Sequence, residues 1–175
     1  VRGFVLKGGA ATSSRKILDQ WTDFVRKHHR MGGLLWGKVN PDGVSGPLSK
    51  VLSDPAALLA SLGAEVGDLM LVGAGPVGST SAGMGRLRVR VANETGMIPE
   101  GTFAFCWVVD FPLFEAVEDA SPGWASMHHP FTAPKAEHLD WLGTDKTGDI
   151  LSDAYDLVCN GTELGGGSIR IHRED

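Results

Sequence analysis

Apolar residues follow a helical period in the first part of this chain and strand-like runs in the last part, with the change near residue 100. Between Thr12 and Arg30, Ile17, Leu18, Trp21, Phe24 and Val25 share one helical face, which predicts an amphipathic helix. Thr12 or Ser13 is the expected cap, and Gly32-Gly33 the expected stop. Leu34–Val39 reads as a short strand. Asp54-Pro55 reads as a cap followed by proline at the first helical position, so Pro55–Leu62 is a short helix closed by Gly63. Leu69–Val72 reads as a buried strand. Gly78–Glu94 is expected to be helical with Ala82, Leu87 and Val91 inward. Beyond Gly96–Gly101 the pattern becomes β-prone. Phe103–Phe111 and Ala154–Cys159 read as strands, with a short helix from Pro134 to Leu142 between them. Asn160-Gly161 is a two-residue hairpin signal, and Thr162–His172 is the third strand. The fold class is therefore α+β, with domains at residues 1–100 and 101–175 and an antiparallel sheet in the second.

The 175 residues suit one medium or two small domains. Hydrophobic residues make up 42%, enough for a packed core. The net charge of −5 argues against a surface dominated by nucleic acid. Cys106 and Cys159 lie in apolar runs and read as reduced core residues, in keeping with a cytoplasmic protein. The longest apolar run, around Phe103–Val109, is too short to span a bilayer. A start at Val1 and an end in the charged turn Arg173-Glu174-Asp175 suggest a piece of a longer chain.

The most informative stretch is Asn160 to His172, where Gly165-Gly166-Gly167 stand between Glu163 and Arg170. Glycine weakens a strand interior, so three in a row point to close approach against the backbone. With Asn160-Gly161 as the turn, Val158 faces Glu163, and alternation puts Asp156 on the same face. Two carboxylates so close suit Mg²⁺, which bridges to phosphates; a solvated charged face is the competing reading. Simple alternation sends Arg170 to the opposite face, and a bulge at Gly165–Gly167 would bring it back. His128-His129 before Pro130 is a poor chelating pair, which leaves an exposed loop or polar recognition of a ligand. Gly73-Ala74-Gly75-Pro76-Val77-Gly78 matches a dinucleotide fingerprint after a strand, but Pro76 removes an amide where pyrophosphate needs one. Arg86, Arg88 and Arg90 read as scattered surface charge rather than an RNA edge.

Taken together, Trp107–Glu115, His128-His129-Pro130-Phe131-Thr132-Ala133-Pro134-Lys135, Ala154–Val158 and Asn160–His172 resemble bacterial-type aspartyl-tRNA synthetase. Gly8-Gly9-Ala10 before Ser14-Arg15-Lys16, and Gly85-Arg86-Leu87-Arg88, resemble the GAD domain inserted in those enzymes. The resemblance implies a GAD-type insertion followed by part of the class II antiparallel sheet. It also implies activation of L-aspartate with ATP and Mg²⁺ before transfer to tRNA, usually in a cytoplasmic homodimer. By the same resemblance, His128, His129 and Arg170 contact aspartate, and Asp156 and Glu163 hold Mg²⁺-ATP. Gly165, Gly166 and Gly167 lie under the adenylate. Thr162 stands where a larger residue is common. The ATP-binding and terminal arginine motifs and the anticodon barrel fall outside these residues, so this chain alone is not expected to charge tRNA. The alternatives are a non-catalytic GAD-type module, as in tRNA-dependent amidotransferases, and a dinucleotide-binding protein acting through Gly73–Gly78.

Overall fold

The computed structural model describes residues 1–117 and 123–172. The charged turn expected at residues 173–175 lies outside them. The chain divides into two compact units, Val1–Pro99 and Glu100–Asp175. The first combines α-helices with antiparallel strands and the second antiparallel strands with short 3₁₀ segments, an α+β arrangement overall.

The first unit is built on strand β4 (Leu69–Gly73), which lies between β1 (Arg2–Leu6) and β2 (Leu35–Asn40). The short β3 (Gly43–Ser45) completes the order β1-β4-β2-β3. Side chains of β4 alternate between two cores. Leu69 and Leu71 pack with Leu18, Trp21 and Val25 of α2 (Arg15–His29) and with Met84, Leu87 and Val91 of α4 (Val77–Glu94). Met70 and Val72 face Val39 and Leu48, with Leu58, Leu59 and Leu62 of α3 (Pro55–Leu62) against them. The continuous apolar run therefore belongs to a strand covered on both faces. The pairs β1–β4, β2–β4 and β2–β3 are all antiparallel. The parallel βαβ unit that a dinucleotide fingerprint needs is not formed around Gly73–Gly78.

Several local expectations are corrected. The first helix is split: Gly9–Thr12 form a separate turn, α1, and Ser14 caps α2 by accepting the Ile17 amide. Arg30, in the left-handed conformation with φ 52°, ends α2 before the glycine pair is reached. Ala82 is exposed, and Gly83 and Met84 take the inward positions. Strands β1 and β3 were not anticipated, because their short runs lack clear alternation. Asp54 caps α3 through the Ala57 amide, and Gly63 closes it, as the sequence indicated.

Asp68 is a buried carboxylate in the first unit. Its oxygens accept the amides of Gly8 and Glu65, each at 2.9 Å, and Lys7 Nζ lies 3.0 Å away. Burial pushes its pKa up, but the two amides and the ammonium outweigh burial and hold it below the usual carboxylate value.

The second unit has a sheet in the order β5-β8-β9, formed by Phe105–Val109, Ala154–Cys159 and Thr162–Ser168. A small hairpin joins β6 (Phe114–Ala116) and β7 (Trp124–Ser126), and it was not foreseen. The helix expected at Pro134–Leu142 is a 3₁₀ segment, Ala136–Trp141. Strand β9 ends at Ser168 rather than His172, although Thr132 still bridges to Arg170 beyond it. Cys159 is buried, whereas Cys106 is exposed on β5, so only one of the two behaves as a core residue.

Candidate functional site

The β8–β9 hairpin positions most of the chemistry. Asn160 and Gly161 have φ 50° and 81°, the two positive values that a type I′ turn requires. Asn160 also fastens the turn to the chain before β5, accepting the Ala104 amide at 2.9 Å and donating to the Thr102 carbonyl at 2.8 Å. The register follows: Cys159 opposes Thr162 and Val158 opposes Glu163. Asp156 and Glu163 are therefore diagonal neighbours on one face.

Beyond Glu163 the register shifts. Leu157 opposes Gly165 and Asp156 opposes Gly166, so Leu164 is the extra residue of a bulge. The bulge falls one position before the glycine run rather than within it. Its effect is the one required, because each later residue changes face. Gly166, Ser168 and Arg170 then share the face of Asp156 and Glu163. Without the bulge, Arg170 would point to the other side of the sheet.

The glycines differ from one another. A Cβ on Gly166 would lie 2.1 Å from Asp156 Oδ1, so the carboxylate itself occupies that space. A Cβ on Gly167 would lie 2.8 Å from the Tyr155 hydroxyl, whose ring crosses the strand there. Nothing lies within 4 Å of the corresponding point on Gly165. Close approach to the backbone is thus made by this chain's own side chains at two positions, and the third is open.

A small cleft of about 180 Å³ is lined by His128, His129, Thr132, Asp156, Gly167 and Arg170, together with Phe111, Ala154 and Ser168. Five residues singled out from sequence meet there: His128, His129, Asp156, Gly167 and Arg170. Glu163, Gly165 and Gly166 do not line it, though they belong to the same hairpin. His128 packs edge-on against Phe111 at 5.0 Å between centroids. His129 turns the other way, packing on Phe131 and accepting its amide at Nδ1. The two rings thus have different packing partners, although both line the cleft.

Thr132 and Phe111 were missed as site residues. Thr132 is buried, and its hydroxyl lies 3.3 Å from Ser168 Oγ and accepts from Arg170 Nη1 at 3.4 Å. A threonine buried in a loop becomes legible only once Arg170 is placed opposite it. Among the described residues, no group of three or more His, Cys, Asp or Glu side chains is arranged to hold a metal. Two carboxylates still fit Mg²⁺, which commonly takes one or two and completes its shell with water and phosphate.

The antiparallel sheet thus presents a carboxylate pair and an arginine on one face, with Asp156 and Arg170 in a cleft beside both histidines. The family profile for tRNA synthetases class II (D, K and N) matches residues 14–175, and the chain belongs to that family. It is 43% identical to the Aspartate--tRNA(Asp/Asn) ligase of Mycolicibacterium smegmatis, covering 99% of this chain and 31% of that protein. It is 46% identical to the enzyme of the same name from Kineococcus radiotolerans, over 99% of this chain and 30% of the relative. The Aspartate--tRNA ligase of Enterococcus faecalis is 44% identical, over 100% and 29%. The chain thus spans just under a third of the length of these relatives.

Proposed function

We propose that this chain supplies the amino-acid pocket and part of the ATP platform of an aspartate–tRNA ligase. The observation that carries the reading is the bulge at Leu164, which turns Arg170 to the face of Asp156 and Glu163 and into the cleft with both histidines. Arg170 binds the side-chain carboxylate of L-aspartate through two parallel hydrogen bonds, a fork that fits a carboxylate and not an amide. His128 and His129 contact the same substrate. Asp156 and Glu163 would hold Mg²⁺ with ATP, and the ion, when bound, offsets phosphate charge. The adenylate lies across Gly165–Gly167, on the face that carries Asp156 and Glu163.

The reaction is an in-line displacement. The α-carboxylate of aspartate attacks the α-phosphorus of ATP, pyrophosphate leaves, and aspartyl-adenylate then acylates tRNA. The residues here act by positioning and charge neutralisation rather than by covalent chemistry. Residues 1–100 are read as the GAD-type insertion of the same enzyme.

The test is ATP–pyrophosphate exchange by the full-length product of the reading frame that encodes this chain. Exchange that requires L-aspartate, with L-asparagine inactive, is expected. Exchange that is independent of aspartate, or equal with asparagine, overturns the reading.

A further inference from the structure

Asp110 ends β5 with φ 63°, the left-handed conformation uncommon outside glycine and favoured among other residues by Asp and Asn. Its carboxylate forms a short ion pair with Lys135, 25 residues away in sequence. Between the two runs the strip 150–153, whose Ile150 and Ser152 are fully buried. On one side of the strip, the Ser152 amide donates to the Phe111 carbonyl at 2.7 Å and the Leu113 amide to the Ile150 carbonyl at 2.8 Å. On the other, the Lys135 amide donates to the Leu151 carbonyl and the Asp153 amide to the Ala133 carbonyl, each at 2.9 Å. The segment beginning at Asp110 carries Phe111, and the segment ending at Lys135 carries His128, His129 and Thr132. Those residues line the cleft together, and the Phe111 ring packs edge-on against His128.

We infer that the Asp110–Lys135 pair is a positioning clasp that holds Phe111 in place against the His128–Thr132 segment in the amino-acid pocket. The inference rests on the ligase reading for its substrate and on geometry for the rest. Neither residue lines the cleft, so both act through their neighbours. The pair is exposed enough (side chains 26% and 51%) that its contribution to stability is small. A pair that adds little to stability can still fix two loops, because reacting groups tolerate little displacement. Lys135 is also engaged electrostatically. Its hydrogen bond to Asp110 raises its pKa against a smaller opposing effect of burial, and Glu137 and Asp153 add to the rise.

Two variants remove the charge pair with little other change. Asp110→Asn keeps a side chain that tolerates the left-handed backbone, and Lys135→Met keeps the aliphatic stem. In the full-length product, each raises the KM for aspartate about tenfold. kcat, the KM for ATP and the melting temperature are expected to stay near the unsubstituted values. Lys135→Arg keeps the charge and restores the aspartate KM. An unchanged aspartate KM in both variants overturns the clasp, as does a parallel loss of aspartate binding, ATP binding and thermal stability.

If the unsubstituted protein shows no aspartate-dependent exchange, it is the ligase reading that fails. The clasp is then judged by NMR on the 175-residue chain. The edge-on Phe111 ring shifts the His128 ring protons, and Asp110→Asn is expected to abolish that shift. A retained shift overturns the clasp independently of activity.

Discussion

The two units use apolar residues in opposite ways. In the first, β4 is buried on both faces and the cores on either side are closed. In the second, β5 is exposed along its whole length, with Phe105 at 60% and Trp107 at 62%. Charge divides in the same place. Residues 1–99 hold twelve basic and seven acidic side chains, a net +5, whereas residues 100–175 hold four and fourteen, a net −10. The first unit is closed around its own interior, whereas within these residues the sheet that carries the candidate site leaves β5 uncovered. Within so acidic a unit each cation matters, and two of the four, Lys135 and Arg170, are engaged at or beside the cleft.

The largest effect that sharpens this contrast is a truncation at the centre of β4. Leu71→Ala is expected to cost about 2–5 kcal/mol, read as lost amide-exchange protection across the first sheet. Trp107→Ser on the open sheet is expected to change stability by less than about 1 kcal/mol. Comparable losses from both would erase the distinction between closed core and open sheet.

The next test lies within the hairpin. Gly166→Ala forces a methyl group onto the Asp156 carboxylate and is expected to cost about 1–3 kcal/mol in Mg²⁺-ATP affinity, measured by titration of the full-length product. Gly165→Ala meets no atom within 4 Å of its new methyl, so its own chain gives way nowhere. That methyl also falls on the face opposite Asp156 and Glu163, so Mg²⁺-ATP affinity is expected to stay unchanged. Equal loss of hairpin order in the two variants would contradict the separate roles of these glycines.

The smallest effect is acid sensitivity. Because folding lowers the pKa of Asp68, its ionised form stabilises the first unit at and above about pH 4. That stabilisation is lost as pH falls through the lower folded-state value. Asp68→Asn is expected to flatten the pH dependence of the first unit below pH 4, monitored by the amides of Gly8 and Glu65 that the carboxylate holds. An unaltered acid profile would remove Asp68 as its source.

Much of this was legible in the sequence where one local rule decides the outcome. Asp54-Pro55 and Gly63 bracket α3, and Asn160-Gly161 sets the hairpin turn, because capping and positive φ depend on single residues. The face shared by Asp156 and Glu163 follows from that turn and period-two alternation. The position of the bulge did not follow, since Leu164 carries no glycine and the shift is chosen by pairing with β8. Thr132, Phe111 and the Asp110–Lys135 pair were invisible for a related reason. Their contacts span 17 to 38 residues, and that of Asp110 with Lys135 also depends on the strip 150–153 packing beside both segments. The Ser14 cap and the stop at Arg30 were misplaced because neighbouring residues satisfied the same local rule.

The central claim is that Arg170 reads the carboxylate of aspartate. The direct measurement is kcat/KM for aspartate in ATP–pyrophosphate exchange by Arg170→Lys, against the unsubstituted full-length product. Replacing the fork with a point charge is expected to cost about 2–4 kcal/mol, roughly 30- to 700-fold, with the KM for ATP unchanged. An unchanged kcat/KM for aspartate would contradict the account.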